Sequence, residues 1–547
     1  MNLSDLGTKP GNVESILVDV PYVANPLQAY QTLSTNHSIL LESAEINSKD
    51  DLKSLILIDA ALRIECNGNS VVVEALCENG APLLEVIQLE LNEYKSQIEQ
   101  ISTNPTDNFG IIKFSFESVD SDLDEDARLK QHSVFDVLRV IQSSINTLRQ
   151  HPHAVFLGGV FAYDLLGSFE VLPSVKQSEN TCPDYLFYLA ETLLLVDHQA
   201  KTSQLIGSVF SGENVANHYF EIHQRLEQIN KQLLSSIDQS HNFSTDKIRP
   251  INSQISVNES KSDNAFCEDV VSLKEHILDG DIFQVVPSRT FSLACPDSLL
   301  AYHQLKLTNP SPYMFYMQDP SFVIFGASPE SALKYDSDTN DVEVYPIAGT
   351  RPRGKRPDGT IDVDLDSRLE LDLQQDHKEK SEHIMLVDLA RNDVARVSQP
   401  GTRHVKDLLK VDRYSHVMHL VSRVIGKLRG DLDALHAYQA CMNMGTLVGA
   451  PKISAARLIR ETEQQGRGSY GGAVGYFNGK GDFDTCIVIR SAFVKDDVAY
   501  VQAGAGVVYD SIPQSEADET RVKAQAVISA IKRSHSSTEL EGEQHAR

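Results

Sequence analysis

Residues 238–264 break the chain in two. They are rich in Ser, Asn, Gln and Asp and poor in apolar side chains. Such a stretch buries too little surface to offset the entropy of ordering it, so it reads as a linker. The apolar runs on either side must then build two cores. One domain is expected over 1–237 and a second over 265–533, with a polar, disordered tail at 534–547. A chain of 547 residues has material for both.

In the first segment, residues 1–15 read as polar and frayed, 26–33 as a short helix, and 38–43 as a strand running into a turn. Strands are predicted over 54–64 and 70–76, joined at Asn67-Gly68-Asn69. A further strand is expected over 111–116 and an acid-rich loop over 117–126. Apolar residues recur at helical spacing over 135–148. Residues 155–164 read as a buried strand with close backbone approach at Gly158 and Gly159. A strand over 187–196 and a long amphipathic helix over 215–237 complete the segment. The second segment opens with a helix over 267–278 and carries strands over 283–286 and 322–325. Three consecutive antiparallel strands are predicted over 471–477, 485–494 and 498–508, then a closing helix over 515–531.

Charge narrows the partners. A formal net charge of −27 disfavours nucleic acid and anionic membrane surfaces. No run approaches the ~18 apolar residues of a membrane span, and the opening MNLSDLGTKPGN lacks the apolar core of a secretory signal. Seven cysteines, an odd number with no C-x-x-C pair, read as buried or free thiols in a reducing compartment. A cytoplasmic location is expected.

Residues 345–396 hold two patterns of opposite charge. Arg351, Arg353, Lys355 and Arg356 make a basic knot without an acid among them, a candidate site for a small anion in an acidic protein. Gly349 to Lys355 also fits the phosphate-cradling G-x-x-x-x-G-K form. Arg356 stands where Ser or Thr is needed, and Pro357-Asp358-Gly359 reads as a turn where a helix should start, so a nucleotide site is not expected. Downstream, Glu379 and Glu382 lie three apart in a helical segment, which places both carboxylates on one face. Glu516 and Glu519 repeat the spacing in the closing helix. Two such pairs offer hard oxygen ligands to a Mg²⁺ that keeps most of its waters. The alternative is a solvated helix face and a first turn whose acids favour the macrodipole.

Other residues suit a carboxylate ligand. Gly504-Ala505-Gly506 follows an apolar strand and permits close approach to the backbone. Gly445 to Lys452 leads into a helix near Pro451, where free N–H groups bind carboxylates. Arg490 reads as mid-strand, costly unless an anionic substrate or an acidic neighbour pairs it. His419 is a candidate acid or base, or else a core histidine.

Several stretches together resemble the chorismate-utilising enzymes: Gln284 to Arg289, Gly326 to Glu330, Pro346 to Gly354, Leu386 to Asp393, Gly445 to Lys452, Gly504 to Gly506, and Glu516 to Glu519. They occur in that family's order across roughly 265–530. Leu40-Leu41-Glu42-Ser43 and Gly158-Gly159-Val160-Phe161 extend the likeness over nearly the whole chain, with Ala162 departing from the family's more usual Gly. The anthranilate-forming, bacterial-type branch is the most similar.

That resemblance implies an α+β fold with two antiparallel sheets packed together and helices outside. It implies amination of chorismate by ammonia, then loss of pyruvate to give anthranilate, the first step toward tryptophan. Mg²⁺ would sit on Glu379, Glu382, Glu516 and Glu519, and the substrate on Gly349, Thr350, Tyr470, Arg490, Gly504, Ala505, Gly506 and Lys523. Glu330 would act as the acid toward the C4 hydroxyl, with His419 and Thr446 assisting elimination. Gln284 stands where isochorismate-forming relatives use a Lys base, and Ala348 where 4-aminating relatives commonly carry a Lys nucleophile; both favour amination at C2. The resemblance also implies a separate glutaminase subunit. It implies feedback by tryptophan at Glu42, Ser43, Lys53, Pro312, Tyr313, Met314, Val474 and Tyr476, which would make 1–237 a regulatory domain.

Overall fold

The computed structural model describes residues 6–535, except 8–9, 44–51, 93–97, 105–108, 118–122, 149–150, 239–247, 357–359 and 414–416. The expected turn at 357–359, most of the tail and parts of the 117–126 loop and the linker lie outside the described residues.

Helices and a large, mostly antiparallel sheet make up the fold. Among the described residues hydrogen bonds join 23 strands into one continuous sheet, where two were expected, and a separate ribbon pairs Gln284–Val285 with Gly449–Ala450. The spine is Lys53–Asn67 against Tyr185–Asp197. A strand so long cannot stay flat, and the pairing shifts register between Leu57 and Leu62. Further shifts fall between Ala348 and Thr350 and between Val405 and Lys410. An open twisted sheet beyond ~10 strands has to curl or split, and shifted registers of this kind let it curl unbroken.

Strands before and after the linker pair directly. Ser38–Glu42 lies against Tyr313–Asp319, and Phe156–Phe161 against Ala473–Asn478. At the second pairing Gly159 has no room for a side chain, because an added Cβ would fall 2.1 Å from Leu186 O. The expected close approach is therefore real.

Several elements were read from the sequence almost to the residue, including helix Pro26–Leu33 and strand Ile111–Phe116. Others differ. The last of the residues expected to fray begin strand Asn12–Val20, paired with Thr202–Phe210. Its Glu14 and Ser15 are buried despite their polarity, which masks the strand pattern. Helices Ala81–Asn92, Glu125–Lys130 and Ser298–Thr308 were not anticipated. The strand expected over 485–494 is two, Phe483–Ile487 and Ser491–Lys495.

Candidate active site

Two helices carry the paired glutamates. Asp376 caps His377–Val397 by accepting from the backbone N–H groups of Lys378 and Glu379, which sets Glu379 in the first turn and Glu382 one turn on. Helix Pro513–Ser534 opens with Pro at its start and buries Glu516 in its first turn. The two helices bring their acids to one place. Burial and then the charges of Glu379 and Glu519 raise the pKa of Glu382; burial and the charge of Glu519 raise that of Glu516. Gln284 donates to Glu382 at 3.2 Å. Gly506 lies beside both: a Cβ there would come 2.8 Å from Gln284 Nε2 and 3.6 Å from Glu382 Oε1.

Among the described residues no three His, Cys, Asp or Glu side chains converge closely enough to enclose a metal ion. Crowded carboxylates that disfavour one another's charge still fit a hard cation held by one or two of them and by water.

The basic knot is not an anion site. Arg351 pairs with Asp372, Asp376 and Glu379 at 2.7, 2.8 and 3.3 Å. Arg353 forks onto Asp366, and Arg356 reaches Asp362. The acids of helix Val363–Gln375 and its caps neutralise these cations internally. Gly349 (φ 73°) lies next to Glu379, whose Oε2 would be 3.1 Å from an added Cβ.

Arg490 is the contrasting case. It sits in the break between two strands, not mid-strand, with φ at 49°, a left-handed conformation uncommon for its type. Its guanidinium enters no ion pair or hydrogen bond with another described residue, and burial lowers its pKa. Glu519 and Tyr470 lie close enough to oppose that shift. Tyr470 is buried, and its oxygen takes the Gly504 N–H. Lys523 reaches from Glu519 (2.7 Å) to the Gly504 carbonyl (3.0 Å). Arg490, Tyr470, Lys523 and the Gly504 to Gly506 turn therefore adjoin the glutamates.

Glu330 follows strand Phe322–Ser328 and lines a small cleft with Tyr345, Leu386, Asp393 and Thr446. Burial pushes its pKa up to about 8, opposed by the Thr446 hydroxyl and by Lys523. Thr446 Oγ1 is buried and, among the described residues, makes no hydrogen bond of good geometry. His419 lies opposite Thr350 in the sheet; Nδ1 is 2.9 Å from Thr350 Oγ1 and 3.3 Å from the Gly349 carbonyl. Burial depresses its pKa to about 4, and the Arg490 charge adds to this. The imidazole is neutral at pH 7.

The other expected set lies on the strands that join the two segments. Glu42 is opposite Met314, and Ser43 N–H donates to the Lys53 carbonyl. The Glu42 carboxylate takes Tyr302 Oη at 2.6 Å and Lys306 Nζ at 2.5 Å, two partners the sequence reading missed. Pro312 is buried next to Tyr313, whose hydroxyl donates to Asp484, and Asp484 is opposite Tyr476. Val474 is fully packed, and Tyr476 stacks on Phe156. Also unanticipated were the Asp393–Lys452 pair (2.8 Å) and the buried arginines Arg289 and Arg467.

A fold of this kind, with two glutamate pairs beside a guanidinium and a glycine turn, has known counterparts. Residues 93–529 match the family of chorismate binding enzymes, and the chain belongs to that family. It is 56% identical over 532 residues to anthranilate synthase component 1 of Vibrio parahaemolyticus, across 96% of this chain and 94% of that one. With the Escherichia coli protein of the same name the identity is 52% over 534 residues, 97% of this chain and 99% of the other. Within the family the chain therefore falls among the anthranilate synthase component 1 enzymes. Crystallised anthranilate synthase component I from Streptococcus pneumoniae superposes with a TM-score of 0.64 at 27% identity, covering 93% of this chain and 99% of that one. The menaquinone-specific isochorismate synthase of Escherichia coli shares the fold, with a TM-score of 0.62 at 17% identity and 97% of each chain covered.

Proposed function

We propose that this chain aminates chorismate with ammonia and eliminates pyruvate to give anthranilate. One observation carries the geometric case: Arg490 presents a guanidinium with no carboxylate partner among the described residues, beside a glycine turn and two glutamate pairs. A guanidinium fork matches a carboxylate, and chorismate has two. Arg490 and Tyr470 orient one of them. The Gly504 to Gly506 backbone and Lys523 lie where the other would rest. Glu379, Glu382, Glu516 and Glu519 would hold Mg²⁺, which would supply Lewis-acid charge to the reaction.

Glu330 keeps its proton at pH 7 and gives it to the departing C4 hydroxyl, which leaves as water while ammonia adds at C2. Loss of pyruvate then needs a proton taken from C2 and one delivered to the enolpyruvyl group. The neutral His419, oriented by Thr350, is the base for the first, with Thr446 alongside. Gln284 offers no base to activate water, which agrees with ammonia as nucleophile. Ala348 offers no nucleophile for amination at C4.

Ammonia comes from a separate glutaminase, consistent with relatives named as component 1. Tryptophan regulates the enzyme through the Glu42 and Tyr313 strands, with residues 1–237 as the regulatory part. The reaction belongs to the cytoplasm; among the described residues no helix is long and apolar enough to cross a membrane.

The test is the purified chain with chorismate, Mg²⁺ and ammonium at alkaline pH, scored by anthranilate fluorescence and pyruvate release. Consumption of chorismate without anthranilate overturns this reading; a 4-amino product would point to the 4-aminating relatives.

A further inference from the structure

Behind the candidate site lies one buried ion pair. Helix Lys452–Glu463 ends at Glu463, and the chain turns so that Arg467, 1% exposed, comes back onto it. Arg467 Nε donates to Glu463 Oε2 at 3.0 Å and Nη2 to Oε1 at 2.5 Å. The remaining bonds leave the pair. Nη1 donates to the Leu447 carbonyl at 2.9 Å, and Nη2 to the Val286 carbonyl at 2.6 Å. The guanidinium lies 5.7 Å from the Tyr470 ring centre and 4.6 Å from that of Tyr163. Glu463 in turn accepts from Ser288 N and Oγ, both at 2.8 Å, and Ser288 is opposite Gly504 in the sheet.

Each of these bonds ends next to a group assigned to the reaction. Leu447 follows Thr446. Val286 is two residues past Gln284. Ser288 faces Gly504, whose N–H meets Tyr470. We propose that Arg467, held by Glu463, is a positioning residue for this reaction. One planar guanidinium sets the relative places of the Thr446 turn, the Gln284 strand end, the Tyr470 ring and, through Ser288, the Gly504 turn. This rests on the functional reading above.

Chemistry favours positioning over simple core stability. A buried ion pair is often replaced by apolar residues at no loss of stability. Only arginine, with five N–H donors in a rigid fork, can address a carboxylate and two carbonyls in different directions at once. Misplacing reacting groups by about 1 Å costs roughly 100-fold in rate.

The experiment uses the full chain as Arg467→Lys and as the apolar pair Arg467→Met/Glu463→Met. Unfolding midpoint, chorismate KM and kcat per folded molecule are measured with ammonium and Mg²⁺. The expected result is a folded double variant whose kcat falls about 100-fold while KM changes far less, with Arg467→Lys recovering only a small part. Either variant folding with wild-type kcat overturns the inference. Should both fail to fold, Ser288→Ala decides it: kcat about tenfold lower supports the inference, and an unchanged kcat overturns it. A wild type that forms no anthranilate overturns the functional reading and this inference with it. A working wild type beside equally active variants overturns the inference alone.

Discussion

Gln284 donates from Nε2 to Oε1 of Glu382 at 3.2 Å, across 98 residues of sequence. The amide's own Oε1 is buried without a partner among the described residues. The contact joins the start of the Gln284–Val285 ribbon to the second turn of the glutamate-bearing helix, with Gly506 against both. It marks where carboxylates gather, and where burial and the charges of Glu379 and Glu519 raise the pKa of Glu382. Such a cluster is a poor place for protein charge and a good one for a cation.

The first prediction follows from that crowding. Glu382→Gln and Glu519→Gln each remove charge from the cluster while keeping side-chain size. Both variants fold; Glu382→Gln has an unfolding midpoint no lower than wild type because it relieves repulsion, and Glu519→Gln loses little, because the pair it gives up with Lys523 is solvent-exposed. Activity falls by at least about 100-fold. Calorimetry on the wild type detects Mg²⁺ binding that either variant weakens, and a chelator abolishes activity that added Mg²⁺ restores. Near-normal turnover in either variant means the ligands are misassigned.

Arg490→Lys keeps the charge and loses the fork. A charge-assisted hydrogen bond contributes about 1.5–3 kcal/mol, so chorismate kcat/KM falls roughly ten- to a hundred-fold. Stability changes little, because no described carboxylate depends on Arg490. An unchanged kcat/KM alongside lowered stability would make this arginine structural.

Glu330 gives a prediction with a definite sign. Burial lifts its pKa from 4.5 to about 8, so the folded chain holds a proton that the unfolded chain releases. The stability this group contributes is fully present below pH 4.5 and is lost as pH rises through about 8. Glu330→Gln cannot lose a proton. Relative to wild type the variant is therefore more stable at alkaline pH than at acidic pH. The same variant loses about 10²–10⁴ in rate, and the alkaline limb of the wild-type kcat/KM profile, near pH 8, disappears. A limb that persists in the variant belongs to another group.

These residues differ in how readable they were. The glutamate pairs and the glycine turn were legible because local spacing alone determines which helix face or backbone they present. Arg351 was not, since its neutralising partners Asp372 and Asp376 lie on the next helix and its termini; charge balance is settled by packing. Nor was the strand break at Arg490, where Ile489 and Ser491 give no turn signal and the left-handed conformation is imposed from outside. The continuity of the sheet depends on pairings such as Glu42 with Met314, far apart in sequence and invisible to local pattern. Arg467 carries no local signal in the sequence, and the role proposed for it rests wholly on which carbonyls fold around it.

Nitrogen supply gives a further prediction. All seven cysteines are free thiols, and burial raises the pKa of Cys66, Cys77, Cys182, Cys295 and Cys441. A glutaminase nucleophile needs a lowered pKa and a tight Gly-flanked turn, and none of the seven has the G-x-C-x-G setting. The pure chain forms anthranilate from ammonium and none from glutamine. Adding a glutaminase subunit restores glutamine use. Glutamine-dependent synthesis by the chain alone would sink this.

Tryptophan feedback is the last prediction, and the strands around Glu42 give it a physical route. Ser43 lies at the end of strand Ser38–Glu42, tied to Lys53 through its backbone. Pro312 precedes the neighbouring strand and Tyr313 and Met314 begin it; the three suit an indole wall. Glu42 is held by Lys306 and Tyr302, so an incoming ammonium group has to compete for that carboxylate. Tyr313 also lies beside Ser331, the residue after Glu330, which puts the inhibitor strand against the proposed acid. Binding that moves Tyr313 therefore reaches the catalytic cleft in one step. Coupling of this kind is reciprocal: tryptophan weakens chorismate binding, and chorismate weakens tryptophan binding by the same factor. Ser43→Phe fills the pocket, abolishes inhibition and leaves uninhibited kcat/KM near wild type. The chain contains no tryptophan, so emission excited selectively in indole reports the ligand alone, and its anisotropy measures occupancy. If tryptophan binds Ser43→Phe as tightly as wild type, or chorismate leaves its affinity unchanged, the site and its coupling are misassigned.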